Sequence, residues 1–224
     1  MKKFLLGIFA LSAFGAPVLA DHKAGHIKGY NSMDSMGCML LRDCTKDVKR
    51  ITSIQDIADY YPDSDYSGVA AEFNSILSSL NKVGVNVFLG DQKYFPRMHR
   101  GVYHTVGNNF FLNTRHMHKP GTLMSVMRHE GWHAAQDCMA GTIKNSMIAI
   151  IKPEEDVPMI WRVMAERTYP ASAVPWEAEA QWAGRTQNMT MKALQACARG
   201  SMWTEYEPTP LTRQWLTENG YIQD

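Results

Sequence analysis

The chain lacks a charge imbalance: 23 Lys and Arg face 22 Asp and Glu over 224 residues, a formal net charge of +1. That excludes the basic excess by which a protein holds nucleic acid or an anionic membrane. It lacks low-complexity sequence as well. Gly 16 and Pro 10 are ordinary counts and no internal repeat is present, so collagen-like and linker-like classes are excluded. Beyond the first twenty residues no stretch approaches the ~18 uninterrupted apolar residues of a membrane-spanning helix. Cysteine is scarce, and no pair has the C-x-x-C spacing of a zinc finger. What is present is 45% hydrophobic residues with balanced charge, which argues against disorder. The length suits one domain, or two small ones, with a buried core.

Residues 1–20, MKKFLLGIFALSAFGAPVLA, read as a secretory signal peptide. Lys2 and Lys3 form the charged start. Phe4 to Phe14 is an apolar run too short for a stable anchor, and Val18 and Ala20 precede an expected cut before Asp21. Removal would leave one more acid than base and no stable membrane anchor. The expected location is secreted or periplasmic. The four cysteines, Cys38, Cys44, Cys138 and Cys197, agree, because an even count in an exported chain favours disulfides. Cys38–Cys44 as a local loop and Cys138–Cys197 as a clip between distant segments are the preferred pairing.

Residues 21–50 hold few periodic apolar positions and are expected to form an irregular N-terminal arm with the local disulfide; residues 51–224 are expected to form one domain. A short helix is predicted from Thr52 or Ser53 to just before Pro62. Val69, Phe73, Ile76, Leu77 and Leu80 recur at helical spacing, and Gly84 stands where such a helix stops. Val85–Leu89 reads as a strand, and Gly101–Val106 with Phe110–Thr114 as a hairpin about Gly107-Asn108-Asn109. Thr122 can cap a helix reaching about Met139, with Gly141 as its stop. Helices are predicted near Glu154–Arg167, from Pro175 to about Arg199 with a bend at Gly184, and over about Leu211–Glu218. The fold class is α+β, with a small, mostly antiparallel sheet followed by a helical C-terminal half.

The chemistry-bearing segment is Val126-Met127-Arg128-His129-Glu130-Gly131-Trp132-His133-Ala134-Ala135. It contains H-E-x-x-H inside a predicted helix. Residues i and i+4 share a helix face about a turn apart, so His129 and His133 can present both imidazoles to one ion. Zinc favours imidazole nitrogen at ~2.0–2.1 Å. Glu130 projects beside such an ion rather than onto it, where it can take a proton from a water the metal activates. The plain alternative is two unrelated histidines on one helix.

These residues resemble the signature of the zincin metallopeptidases. Val126, Met127, Gly131, Trp132, Ala134 and Ala135 fit its uncharged positions, and Arg128 falls where any residue is tolerated. Trp132 departs from it, since many zincins have Gly before the second His. The order of strands, motif helix and further helices over roughly residues 85–185 is similar too. The resemblance implies a zincin-like fold in which the motif helix packs under a sheet whose edge strand binds extended substrate. It implies a Zn2+ cofactor with His129 and His133 as ligands, Glu130 as general base, and a peptide or protein substrate. Gln136 and Met139 stand where the metzincin branch has Gly and His. The gluzincin-like branch remains, in which a later helix supplies a Glu ligand. Trp176-Glu177-Ala178-Glu179-Ala180-Gln181-Trp182 offers two. Glu177 is preferred to Glu179, because Gln181 four residues on can accept an imidazole N–H in the place of the family's orienting acid. Both stay open at this point. Small Ala178 and Ala180 would let that helix approach the motif helix closely.

Such a reaction also needs a donor for the oxyanion; Tyr103, His104, Tyr169 and Arg185 are candidates that spacing does not separate. His116-Met117-His118 is a second histidine cluster, for which a polar loop before Pro120-Gly121 is preferred to a metal site. Fifteen scattered methionines read as core filling. Trp132, Trp176 and Trp182 are expected to pack around the metal helices. The competing function class is a non-catalytic exported zinc-binding module that binds a protein or cell-envelope partner. Glu130 has no role in a purely structural site and favours catalysis.

Overall fold

The computed structural model describes residues 33–223; the expected signal peptide lies outside them. The first elements are helix Met33–Leu40 (α1) and strand Val48–Arg50 (β1), and the Cys38–Cys44 disulfide ties α1 to the segment before β1. Helix Ile54–Tyr60 (α2) starts at a capping box: Ser53 accepts from the backbone N–H of Gln55, and Asp56 accepts from the N–H of Ser53. Helix Ala70–Lys82 (α3) buries Phe73, Ile76, Leu77 and Leu80, the residues at helical spacing. Strands Asn86–Gly90 (β2), Gly101–His104 (β3) and Asn109–Asn113 (β4) follow.

Side chains alternate across a strand, and here both faces are apolar. Val87, Leu89, Phe110 and Leu112 enter the main core, while Phe88 and Phe111 stack on the other face with ring centroids 5.3 Å apart. β2 and β4 run parallel, with Val87 beside Phe110 and Phe88 beside Phe111. β1 pairs antiparallel with β2, and β3 antiparallel with β4, in the order β1-β2-β4-β3. The sheet is therefore mixed: two of its three pairings are antiparallel, in keeping with a mostly antiparallel sheet, and the central one is parallel. Its two central strands, continuous apolar runs buried on both sides, have the composition of parallel strands.

The second face explains the arm. α1 lays Met39 over Phe88 and Phe111, beside Tyr94 and Phe95. The segment expected to be irregular thus carries a helix and a sheet strand. Its apolar residues are too few to show a period, but they suffice to cover an exposed sheet face.

The motif helix spans Pro120–Met139 (α4) and begins at Pro120 rather than at Thr122. Proline costs little at the first helical position, where the N–H has no partner within the helix. The remaining helices are Met159–Glu166 (α5), Val174–Arg185 (α6), Met189–Arg199 (α7), Met202–Glu205 (α8) and Pro210–Glu218 (α9). Pro158 separates α5 from a turn at Glu154–Asp156, which shortens the helix expected near Glu154–Arg167. The helix expected from Pro175 to Arg199 is two helices. The break is at Thr186, which is extended, and Asn188, at φ 64°, rather than at Gly184. The N–H of Asn188 donates to the Glu72 carboxylate at 2.9 Å, so a contact distant in sequence holds the break open.

α4 packs between β3 on one side and α6 and α7 on the other. The Cys138–Cys197 disulfide joins α4 to α7, across a sequence separation of 59. Closing a loop of that length in the unfolded chain is worth about 4 kcal/mol in the chain-entropy account. Two disulfides fit an oxidising compartment. Among the described residues no helix is long and apolar enough to cross a membrane.

Candidate metal centre

α4 and α6 build the centre by close approach. Ala178, Ala180 and Ala183 of α6 are buried, and Gly184 faces α4 so tightly that a Cβ there would lie 3.1 Å from the Ser125 carbonyl oxygen and 3.3 Å from His129 Cβ. Small residues bring the two helix axes together, and Glu177 meets the motif histidines as a result. Its Oε2 lies 3.4 Å from His129 Nε2 and its Oε1 lies 3.7 Å from His133 Nε2. The two imidazoles meet edge to face, with ring centroids 5.0 Å apart.

These distances carry chemical information. A direct charge-assisted hydrogen bond would be about 2.7–2.9 Å. Two ligands at ~2.0–2.1 Å from one tetrahedral ion stand about 3.3 Å apart. The spacing is that of ligands around a shared centre, and Glu177 Oε2 is buried with no hydrogen-bond partner. Among the described residues, His129, His133 and Glu177 are the group of three ligand-type side chains that could hold a metal ion. Glu179 is not part of it, and His116 and His118 gather no third ligand.

Electrostatics couple the same groups. Burial disfavours a charged His133, but the Glu177 carboxylate, with Glu130 and Gln136 behind it, outweighs burial and lifts this imidazole to about 9. Burial also disfavours a charged Glu177, yet the two histidines hold it well below the usual carboxylate range. An ion binding here would have to displace the His133 proton, which makes its affinity rise with pH.

Glu130 lies beside the three. Its Oε2 accepts the backbone N–H of Tyr103 on β3 at 2.9 Å. β3 is an edge strand of the sheet, so this N–H faces away from β4 into the cleft. The Tyr103 hydroxyl turns inward and donates to Asp137 Oδ2 at 2.7 Å, which removes it as an oxyanion donor. Tyr169 and Arg185, two of the other candidates, line the cleft with Glu130 and Glu177. Burial first, then the carboxylates of Glu177 and Glu130, raises the Tyr169 phenol and keeps it protonated. His104 does not line the cleft.

The expected orienting role of Gln181 is not what the structure holds. Gln181 Oε1 is buried without a hydrogen-bond partner, whereas Gln136 Oε1 lies 2.8 Å from His133 Nδ1. Gln136 stands three residues after His133 on the motif helix, so helical spacing already puts the two on one face. Glu179 points away from the centre. It accepts from Gln136 Nε2 at 2.7 Å, from the indole N–H of Trp132 at 3.1 Å and from the backbone N–H of Ile151 at 2.9 Å. Trp132 is thus an interior donor between α4 and α6.

Arg128 is also more than a tolerated position. Its guanidinium meets the Glu72 carboxylate at 2.8 and 2.6 Å, and Thr190 donates to its carbonyl oxygen at 2.7 Å. The residue before His129 thereby anchors α4 to α3 and to the start of α7. The cleft over the cluster has a volume of about 850 Å3. Met98, Trp161 and Met164 provide apolar walls, and Arg100 and Arg185 bring positive charge.

Comparison with protein families, with curated proteins and with solved structures finds no match.

Proposed function

We propose that this protein is an exported zinc-dependent hydrolase, most simply a metallopeptidase of the gluzincin-like kind. The observation that carries the reading is the Glu177 carboxylate set 3.4 and 3.7 Å from two imidazole Nε2 atoms, with Glu130 beside them against an edge strand. His129, His133 and Glu177 would hold the ion, an N2O donor set suited to catalytic zinc. When bound, zinc supplies Lewis acidity that activates a water and polarises a carbonyl oxygen.

The chain's own groups do the rest. The outer edge of β3, beside the Tyr103 N–H that Glu130 holds, accepts a substrate backbone as an added strand. Glu130 takes the proton of the attacking water and passes it to the departing nitrogen. The protonated Tyr169 hydroxyl donates to the oxygen that gains charge. The apolar cleft walls favour substrates with bulky apolar side chains near the scissile bond.

Metal analysis with peptide-library cleavage, with and without chelator, tests the reading. One zinc per chain and chelator-sensitive cleavage are expected. Glu130→Gln should keep its zinc and lose cleavage by on the order of 10^2–10^4-fold. Full activity in that variant would refute the mechanism. Stoichiometric zinc with no hydrolysis of any library would move the protein to the non-catalytic binding class.

A further inference from the structure

The two hydrogen-bonding ends of the Gln136 amide have different neighbours. Nε2 lies 2.7 Å from Glu179 Oε2 and 3.1 Å from the carbonyl oxygen of Trp176. A carbonyl only accepts. The Glu179 carboxylate is surrounded by donors only: the Trp132 indole N–H, the backbone N–H groups of Ile151 and Lys152, and Gln136 itself. Both neighbours therefore require the NH2 end of the amide, and the oxygen must face His133. That oxygen cannot donate. At 2.8 Å it requires His133 to carry a proton on Nδ1, which leaves Nε2, the nitrogen facing Glu177, as the one open to an ion.

We propose that Glu179, acting through Gln136, is a positioning residue that sets the His133 tautomer so that Nε2 is the metal-binding atom. The inference rests on the reading of the cluster as a metal centre. Glu179 is fully buried, and burying a carboxylate is costly. An apolar residue of similar size would join α4 to α6 as well. It could not orient an amide. Indirect support through a neutral glutamine holds the imidazole N–H while keeping the orienting carboxyl group one residue away from the ligand set.

The test uses the full chain and zinc alone. Zinc affinity is measured by competition with a chromophoric chelator, and the His133 ring nitrogens of the zinc-loaded protein are read by 15N NMR. The wild-type ring proton is expected on Nδ1, exchanging slowly with water. Gln136→Met removes the acceptor at similar volume, and Glu179→Gln frees the Gln136 amide to turn. Each should weaken zinc binding about 10- to 100-fold. Each should also speed exchange of the His133 ring proton while backbone amide exchange in α4 stays unchanged, which a purely structural role would not produce. A wild-type ring proton on Nε2 would overturn the proposal, as would wild-type affinity in Gln136→Met. If Glu179→Gln does not fold, those two readings still decide. Absence of zinc binding in the wild type would instead overturn the metal centre itself, and this inference with it.

Discussion

Replacing Gly101 by alanine should push the edge strand off the motif helix. A Cβ at this position would lie 2.5 Å from Val126 Cγ1, 3.1 Å from Glu130 Cγ and 3.2 Å from the Phe111 carbonyl oxygen. None of the three yields easily. Val126 is 6% exposed within α4, Phe111 presents backbone of β4, and Glu130 is tied to Tyr103 on the same strand. Overpacking of this kind costs typically about 1–3 kcal/mol. Val126→Ala alone should cost about 1–3 kcal/mol through the cavity it leaves. In the double variant the new methyl fills part of that cavity, so the two losses should not add. A coupling of at least about 1 kcal/mol is expected. Urea unfolding followed by tryptophan fluorescence on the four proteins measures it. Strict additivity would refute the reasoning, because it would mean that position 101 and Val126 do not share the space. Under the proposed function, Gly101→Ala should also lower turnover, by moving the Tyr103 N–H from Glu130, and leave zinc affinity near wild type, since His129, His133 and Glu177 lie on α4 and α6.

Two further outcomes follow from buried charge. Arg128→Met should cost about 3–5 kcal/mol, because it strands a Glu72 carboxylate whose side chain is only 8% exposed with one backbone donor left. Adding Glu72→Leu should recover only part of the loss in the same urea assay, because it also strands the Asn188 N–H, and a single-variant cost under ~1 kcal/mol would show that the pair behaves as a surface salt bridge. Asp137 gives a pH signature. Burial, opposed only by the bond from Tyr103, pushes its carboxyl up to about 7 from 3.8. A carboxyl raised on folding contributes stability below its unfolded value and loses it as pH rises through the folded one. Unfolding free energy should therefore fall more steeply between pH 5 and pH 8 in the wild type than in Asp137→Asn; equal slopes would show that Asp137 is already charged in the fold at pH 5.

The pattern of legible and illegible features has a physical basis. α3 and the β3–β4 hairpin were readable because short-range periodicity and turn residues carry them. The break before α7 was not, because Glu72, more than a hundred residues away, supplies the hydrogen bond that stabilises it. The role of Arg128 was hidden for the same reason. The preferred cysteine pairing agrees with the disulfides in the structure. The parallel pairing of β2 with β4 had a signal in their continuous apolar runs, yet it became visible only with the register.

By itself the sequence determined the chemistry available: H-E-x-x-H on a helix puts two imidazoles on one face and a carboxylate beside them, since 3.6 residues per turn leave no other arrangement. It also narrowed the third carboxylate to Glu177 or Glu179. Only the tertiary structure decided between them. Glu177 and Glu179 stand two positions apart on α6 and so differ by about 200° in direction; one glutamate meets the histidines and the other turns into the core towards Trp132 and Gln136. Which of the two does so depends on how α6 lies against α4. Gly184 and the buried alanines set that approach, and no local pattern encodes it.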